Sequence, residues 1–148
     1  MIGKDAIGRR FGPYIGTVDA NRLRFFAKAT GETRAEYLDG DAARAAGWRD
    51  IPAPPTYPFC LQMLDTPDPL DWPKTLGIDI ARVLHGEQSF TYHRDICAGD
   101  VIGFEVEVVD VYDKNGGALT FVVSTLCGRD PAGHLAVEAR QTLVVRNA

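Results

Sequence analysis

The sequence predicts an α+β fold in which an antiparallel β-sheet wraps around a central, buried α-helix. Three observations carry this. The hydrophobic period changes from helical to strictly alternating near Arg82. One short segment, Tyr57 to Leu64, is apolar on nearly every helical face. Compact turn signals divide the alternating half into long strands. The whole chain, residues 1–148, reads as one domain, because no Ser/Gly linker and no internal repeat interrupts it.

The elements follow in order. Phe11 to Val18 reads as a short first strand. Asp19 stands as N-cap before Leu23, Phe26, Ala27 and Thr30 at helical spacing, and Gly31 supplies the stop. Asp41 to Gly47 repeats the device in miniature, with Asp41 as the acidic cap, alanine-rich turns and a terminal glycine. The prolines between Ile51 and Pro55 forbid helix. Thr56 then caps a third helix, with Pro58 tolerated in its first turn; it must end before Pro67, after about nine residues or 13 Å. Its all-round apolar surface predicts burial on every side. Thr66 to Lys74, with three prolines, reads as an ordered loop.

Beyond Arg82, Leu84, Phe90 and Tyr92 alternate with Glu87, Ser89, Thr91 and His93. Ile102, Phe104, Val106 and Val108 form one face of the next strand, Leu119, Phe121 and Val123 of the third, and Leu135, Val137, Ala139, Leu143 and Val145 of the last. Ala98-Gly99-Asp100, Asn115-Gly116-Gly117 and Asp130-Pro131-Ala132-Gly133 mark the turns, and connections this short join antiparallel neighbours. A buried helix hidden by a curled meander is the hot-dog arrangement. The sheet's open edge still needs covering, which predicts a second hot-dog unit beside it.

Composition excludes several classes of function. Sixteen basic and 20 acidic residues give a net charge of −4, and no basic cluster suits a nucleic-acid backbone. No apolar run is long enough to span a membrane, and the first residues have charges but no apolar centre, so a cytoplasmic location is expected. Cys60, Cys97 and Cys127 lack metal-ligand spacing and number three, so they are expected to be reduced, mostly buried thiols with no metal site.

Two segments resemble the MaoC-like enoyl-thioester hydratases and dehydratases. They are VDANRLRFFAKATGETRAEYLDGDAARAAGWRDIPAPPTYPF (Val18 to Phe59) and RVLHGEQSFTYHRDICAGDVI (Arg82 to Ile102). The second is similar to the N-terminal-type half of such proteins. The resemblance implies addition of water across a trans-2-enoyl thioester to give the (R)-3-hydroxyacyl form, or the reverse, with no cofactor. Active members carry a Gly-Asp-x-Asn-Pro-x-His stretch after the first helix, whose Asp and His position water and move protons. Here the stretch reads Gly31-Glu32-Thr33-Arg34-Ala35-Glu36-Tyr37, so Glu32 replaces the aspartate, Arg34 the asparagine and Tyr37 the histidine.

A free imidazole exchanges protons near pH 7, whereas only about one free phenol in a thousand is ionised there. Glu32 carries its carboxylate one methylene further out, and catalytic geometry tolerates little displacement. The degenerate positions therefore predict a half without the catalytic pair. In such proteins two hot-dog halves divide the labour, one carrying Asp and His and the other shaping the acyl tunnel.

The candidate substrate-binding residues are Tyr57, Phe59 and Met63 on the third helix, with His85 and Glu87 on the following strand. The last two share a face, and form a candidate dyad, only if Gly86 makes no bulge. The expected partners are an acyl-CoA or acyl carrier protein thioester and a second hot-dog subunit. Two other readings stay open: a self-sufficient homodimeric hydratase or thioesterase with a rebuilt site, and a non-enzymatic acyl-thioester binding module.

Overall fold

The computed structural model describes residues 2–147. After a 3-10 turn at Lys4–Ala6 come β1 (Arg10–Thr17), α1 (Ala20–Ala29), a 3-10 turn (Ala35–Tyr37), α2 (Gly40–Ala45), α3 (Tyr57–Leu64) and α4 (Asp71–Thr75). A further 3-10 turn (Ile80–Arg82) leads into β2 (Val83–Tyr92), then β3 (Val101–Lys114), β4 (Leu119–Arg129) and β5 (Leu135–Arg146). The strands form one antiparallel sheet in the order β1-β3-β4-β5-β2, with α3 against its inner face. This is the α+β hot-dog arrangement that the sequence predicts.

Asp19 caps α1 as expected, its carboxylate accepting from the Asn21 and Arg22 N–H groups at 2.9 Å each. Gly31 ends the helix with φ +76°, and the Glu32 N–H reaches back to the Ala27 carbonyl at 2.8 Å. At α2 the cap differs from expectation. Asp39, in extended conformation, accepts from the N–H groups of Asp41 and Ala42, whereas Asp41 pairs with Arg44 at 2.7 Å. Thr56 stands before α3 without a side-chain bond, because Pro58 has no N–H to offer and the Phe59 N–H goes to the Thr56 carbonyl at 3.3 Å.

The expectation that α3 is buried all round is corrected. Tyr57, Pro58 and Leu61 are buried, Phe59, Cys60 and Met63 only in part, and Leu64 is exposed. The buried side lies close on β1 at Gly16, where a Cβ would stand 2.5 Å from the Leu61 carbonyl oxygen. The Thr66 to Lys74 loop contains the start of α4, since Pro73 sits in its first turn, where a missing N–H costs nothing. Trp72 is thereby driven inward, and the Tyr14 hydroxyl donates to Asp71 at 2.5 Å.

Two sheet expectations also change. The Asn115 and Asp130 turns join neighbouring strands, but Ala98-Gly99-Asp100 does not, because β2 and β3 lie apart in the sheet. The connection crosses over and is fastened instead to the proline segment, with Ala53 N–H to Ile96 carbonyl at 2.8 Å and Ala98 N–H to Ile51 carbonyl at 2.9 Å. In β4 the inward residues are Thr120, Val122, Ser124 and Leu126. Phe121 faces outward instead, stacked on Tyr112 at 5.0 Å under the Lys114 ammonium.

Candidate functional site

The stretch that leaves α1 is tied to itself. The Glu32 carboxylate accepts from the Thr33 and Arg34 backbone N–H groups at 3.0 Å and from the Arg34 guanidinium at 3.1 and 2.8 Å. The Arg34 side-chain bond, then its backbone N–H, holds the Glu32 pKa down to about 2. The same guanidinium lies 4.7 Å from the centre of the Tyr37 ring, and Tyr37 itself is buried. Glu32, Arg34 and Tyr37 thus form one cluster. A carboxylate so held is a weak proton acceptor at neutral pH, and its lone pairs are already engaged.

A cleft runs between α3 and β2. Phe59 and His85 stack across it with ring centres 5.0 Å apart and planes 11° from parallel, dividing it in two. Beside the N-terminal half of α3 lies a groove of about 540 Å³ walled by Phe26, Thr56, Cys60, Gln88 and Phe90. Beside the C-terminal half lies a slot of about 240 Å³ walled by Gln62, Met63, Trp72, Val83, Gln141 and Leu143. The larger lies within the range of ordinary small-molecule sites. His85 Nε2 is 3.1 Å from Gln88 Oε1, so the stack is held from the strand as well as from the helix.

Of the five candidate binding residues, Phe59 and His85 therefore line both chambers and Met63 lines the smaller. Tyr57 is 1% exposed and packs edge-on against Phe26. Its hydroxyl has no partner among the described residues, and burial raises its pKa. Glu87 is separated from His85 by a bulge: His85 pairs with Leu143 and Glu87 with Thr142, leaving Gly86 as the extra residue. The two side chains take opposite faces and form no dyad. The same bulge turns Leu84 outward, away from Phe90 and Tyr92.

The sequence reading missed Gln62, Trp72, Gln88 and Gln141. Gln141 had a signal, since it interrupts the inward series Ala139, Leu143, Val145 at a position that the period buries. The remaining histidines lie at the surface within hydrogen-bond distance of carboxylates, His93 with Glu138 at 2.6 Å and His134 with Asp130 at 3.1 Å. Among the described residues no group of three His, Cys, Asp or Glu side chains could hold a metal, and no helix is long and apolar enough to cross a membrane. All three cysteines are free, Cys97 buried and the other two partly so.

Comparison with known proteins bears on this geometry. Residues 5–139 match the model of the FAS1-like, dehydratase domain region. A relative from Clavibacter michiganensis, a UPF0336 protein, is 42% identical over 134 residues, covering 90% of this chain and 87% of that protein. Among solved structures, the fold is similar to the truncated HadBC (3R-hydroxyacyl-ACP dehydratase) complex of Mycobacterium tuberculosis. There the TM-score is 0.76 at 23% identity, over 94% of this chain and 97% of that one. It is also similar to the ChsH1-ChsH2 complex of the same organism, with TM-score 0.74 and 23% identity over 93% and 89% of the two chains. The chain belongs to the family of the FAS1-like dehydratase domain region.

Proposed function

We propose that this chain is the non-catalytic hot-dog subunit of an acyl-thioester hydratase or 3-hydroxyacyl-thioester dehydratase. In this reading it walls the acyl site, and a partner hot-dog subunit supplies the Asp and His that move protons. One observation carries the reading: the carboxylate that stands where the family's aspartate would be is closed into a clasp of four hydrogen bonds, three from Arg34 and one from the Thr33 N–H, and the Arg34 cation covers Tyr37. Freeing Glu32 to act as a base would require breaking those bonds first. The cleft between α3 and β2 supports the other half of the reading, since its walls are mostly apolar and carry no Asp, Glu, Lys or Arg. Two of the similar structures are complexes of unlike subunits by their names, which supports a heteromer.

The test is hydration of crotonyl-CoA. The purified chain alone is expected to show no turnover above the uncatalysed rate. Co-expression with a hot-dog subunit that keeps an intact Gly-Asp-x-Asn-Pro-x-His stretch is expected to give an active complex. Turnover by the isolated chain above about 1 s⁻¹, ordinary for a true enzyme, abolished by Tyr37→Phe or Glu32→Gln, would overturn the accessory role.

A further inference from the structure

The smaller slot has a feature that a hydrocarbon tunnel does not need. Gln141 projects from the inner face of β5 into it, is 7% exposed, and its amide has no hydrogen-bond partner among the described residues. Across the sheet it faces Ser124 on β4, whose buried hydroxyl is also unpartnered, and Gln88 on β2, which lies against His85. A row of neutral polar groups therefore crosses the sheet directly under α3. Gln62 faces it from the helix, and Trp72 closes the end.

Once a ligand fills the slot and excludes water, an amide that bonds nothing is costly, and a plain hydrocarbon packed against it would leave it unpaired. A carboxylate or phosphate fits no better, because no lysine or arginine lines the slot to meet its charge. The group that satisfies the floor is neutral, and it offers an oxygen to the Gln141 amide.

We propose that this slot takes the distal part of an acyl chain, and that Gln141 selects acyl groups bearing a hydroxyl or keto oxygen remote from the thioester. The inference rests on the acyl-thioester reading above and specifies its substrate class. The thioester end then occupies the larger groove beside the N-terminal half of α3, beyond the Phe59–His85 stack. Gln141 touches the tail and not the reacting atoms, so its role is specificity.

The experiment is calorimetric titration of the full chain with octanoyl-CoA and with its 5-, 6-, 7- and 8-hydroxy isomers. At least one isomer is expected to bind about tenfold tighter than octanoyl-CoA, the discrimination of one neutral hydrogen bond. Gln141→Met, similar in length and unable to donate, is expected to erase that preference, so that the favoured isomer and octanoyl-CoA bind within about twofold of each other. The comparison on unaltered protein needs no variant, so a folding defect cannot hide the answer. If octanoyl-CoA binds as tightly as every isomer, the inference is overturned and the acyl-thioester reading stands. If no thioester binds, that reading fails and the inference goes with it.

Discussion

Four hydrogen bonds converge on the Glu32 carboxylate, two from the backbone N–H groups of Thr33 and Arg34 and two from the Arg34 guanidinium, and this makes the residue a test of the whole functional argument. The bonds favour the charged form, so the folded pKa lies near 2 instead of the usual 4.5. A depressed carboxyl pKa means that the unfolded chain binds the proton more readily. The contribution of the clasp to stability is therefore complete above about pH 4.5 and is lost as pH falls towards 2. A carboxyl-detected NMR titration is expected to place Glu32 near 2 in the native chain and distinctly higher in Arg34→Gln, where only the backbone N–H bonds remain. Glu32→Gln should flatten the acid-stability profile across that window. A native midpoint above about 4 would mean that the clasp does not form in solution, and the reason for calling this half non-catalytic would disappear.

At the scale of elements, two glycines determine how α3 and β2 stand against the sheet. At Gly16 an added methyl would meet the Leu61 carbonyl at 2.5 Å, and backbone cannot rotate away. At Gly86 it would meet a Val144 methyl at 2.8 Å and the Thr142 carbonyl at 3.2 Å, a clash that a side-chain shift partly relieves. Gly16→Ala is expected to cost about 1–3 kcal/mol in urea unfolding, in the range of core overpacking, and Gly86→Ala less. The reverse order would show that α3 is not seated on β1. These positions also explain what the sequence revealed and what it concealed. Asp19, Gly31 and the Asn115 turn act through neighbours a few residues away, so their roles are legible from local pattern. The Gly86 bulge is set by β5 more than 50 positions downstream in the chain. One extra residue inverts every later side chain, which is why Leu84 was grouped with Phe90 and why His85 and Glu87 came out on opposite faces. The site shows the same division: Phe59, Met63 and His85 were readable as apolar or aromatic surface, while Gln88 lay behind the bulge, and Gln141, legible as a break in the inward series, could be placed beside α3 only with the strand order known.

At the scale of the whole molecule, one edge of the sheet is left unfinished. None of the ten residues of β2 is buried, although the strand carries Val83, Leu84, Phe90 and Tyr92. The adjoining cleft opens beside it, and the outer side of α3 presents Leu64 to solvent. An exposed edge with an apolar border is a template for pairing, and stable pairing of two proteins buries about 1,600 Å² in total. The purified chain is therefore expected to sediment at twice its monomer mass at micromolar concentration, with β2 at the contact. Lysine on an edge strand opposes pairing, so Leu84→Lys combined with Thr91→Lys should return it to monomer mass. Ile15→Lys serves as the counterpart on the opposite edge, where β1 also exposes an apolar residue, and it should leave the mass unchanged. If the double variant stays paired while Ile15→Lys dissociates, the contact lies along β1. The cleft between α3 and β2 would then face water, and a partner subunit could not complete the acyl site from that side.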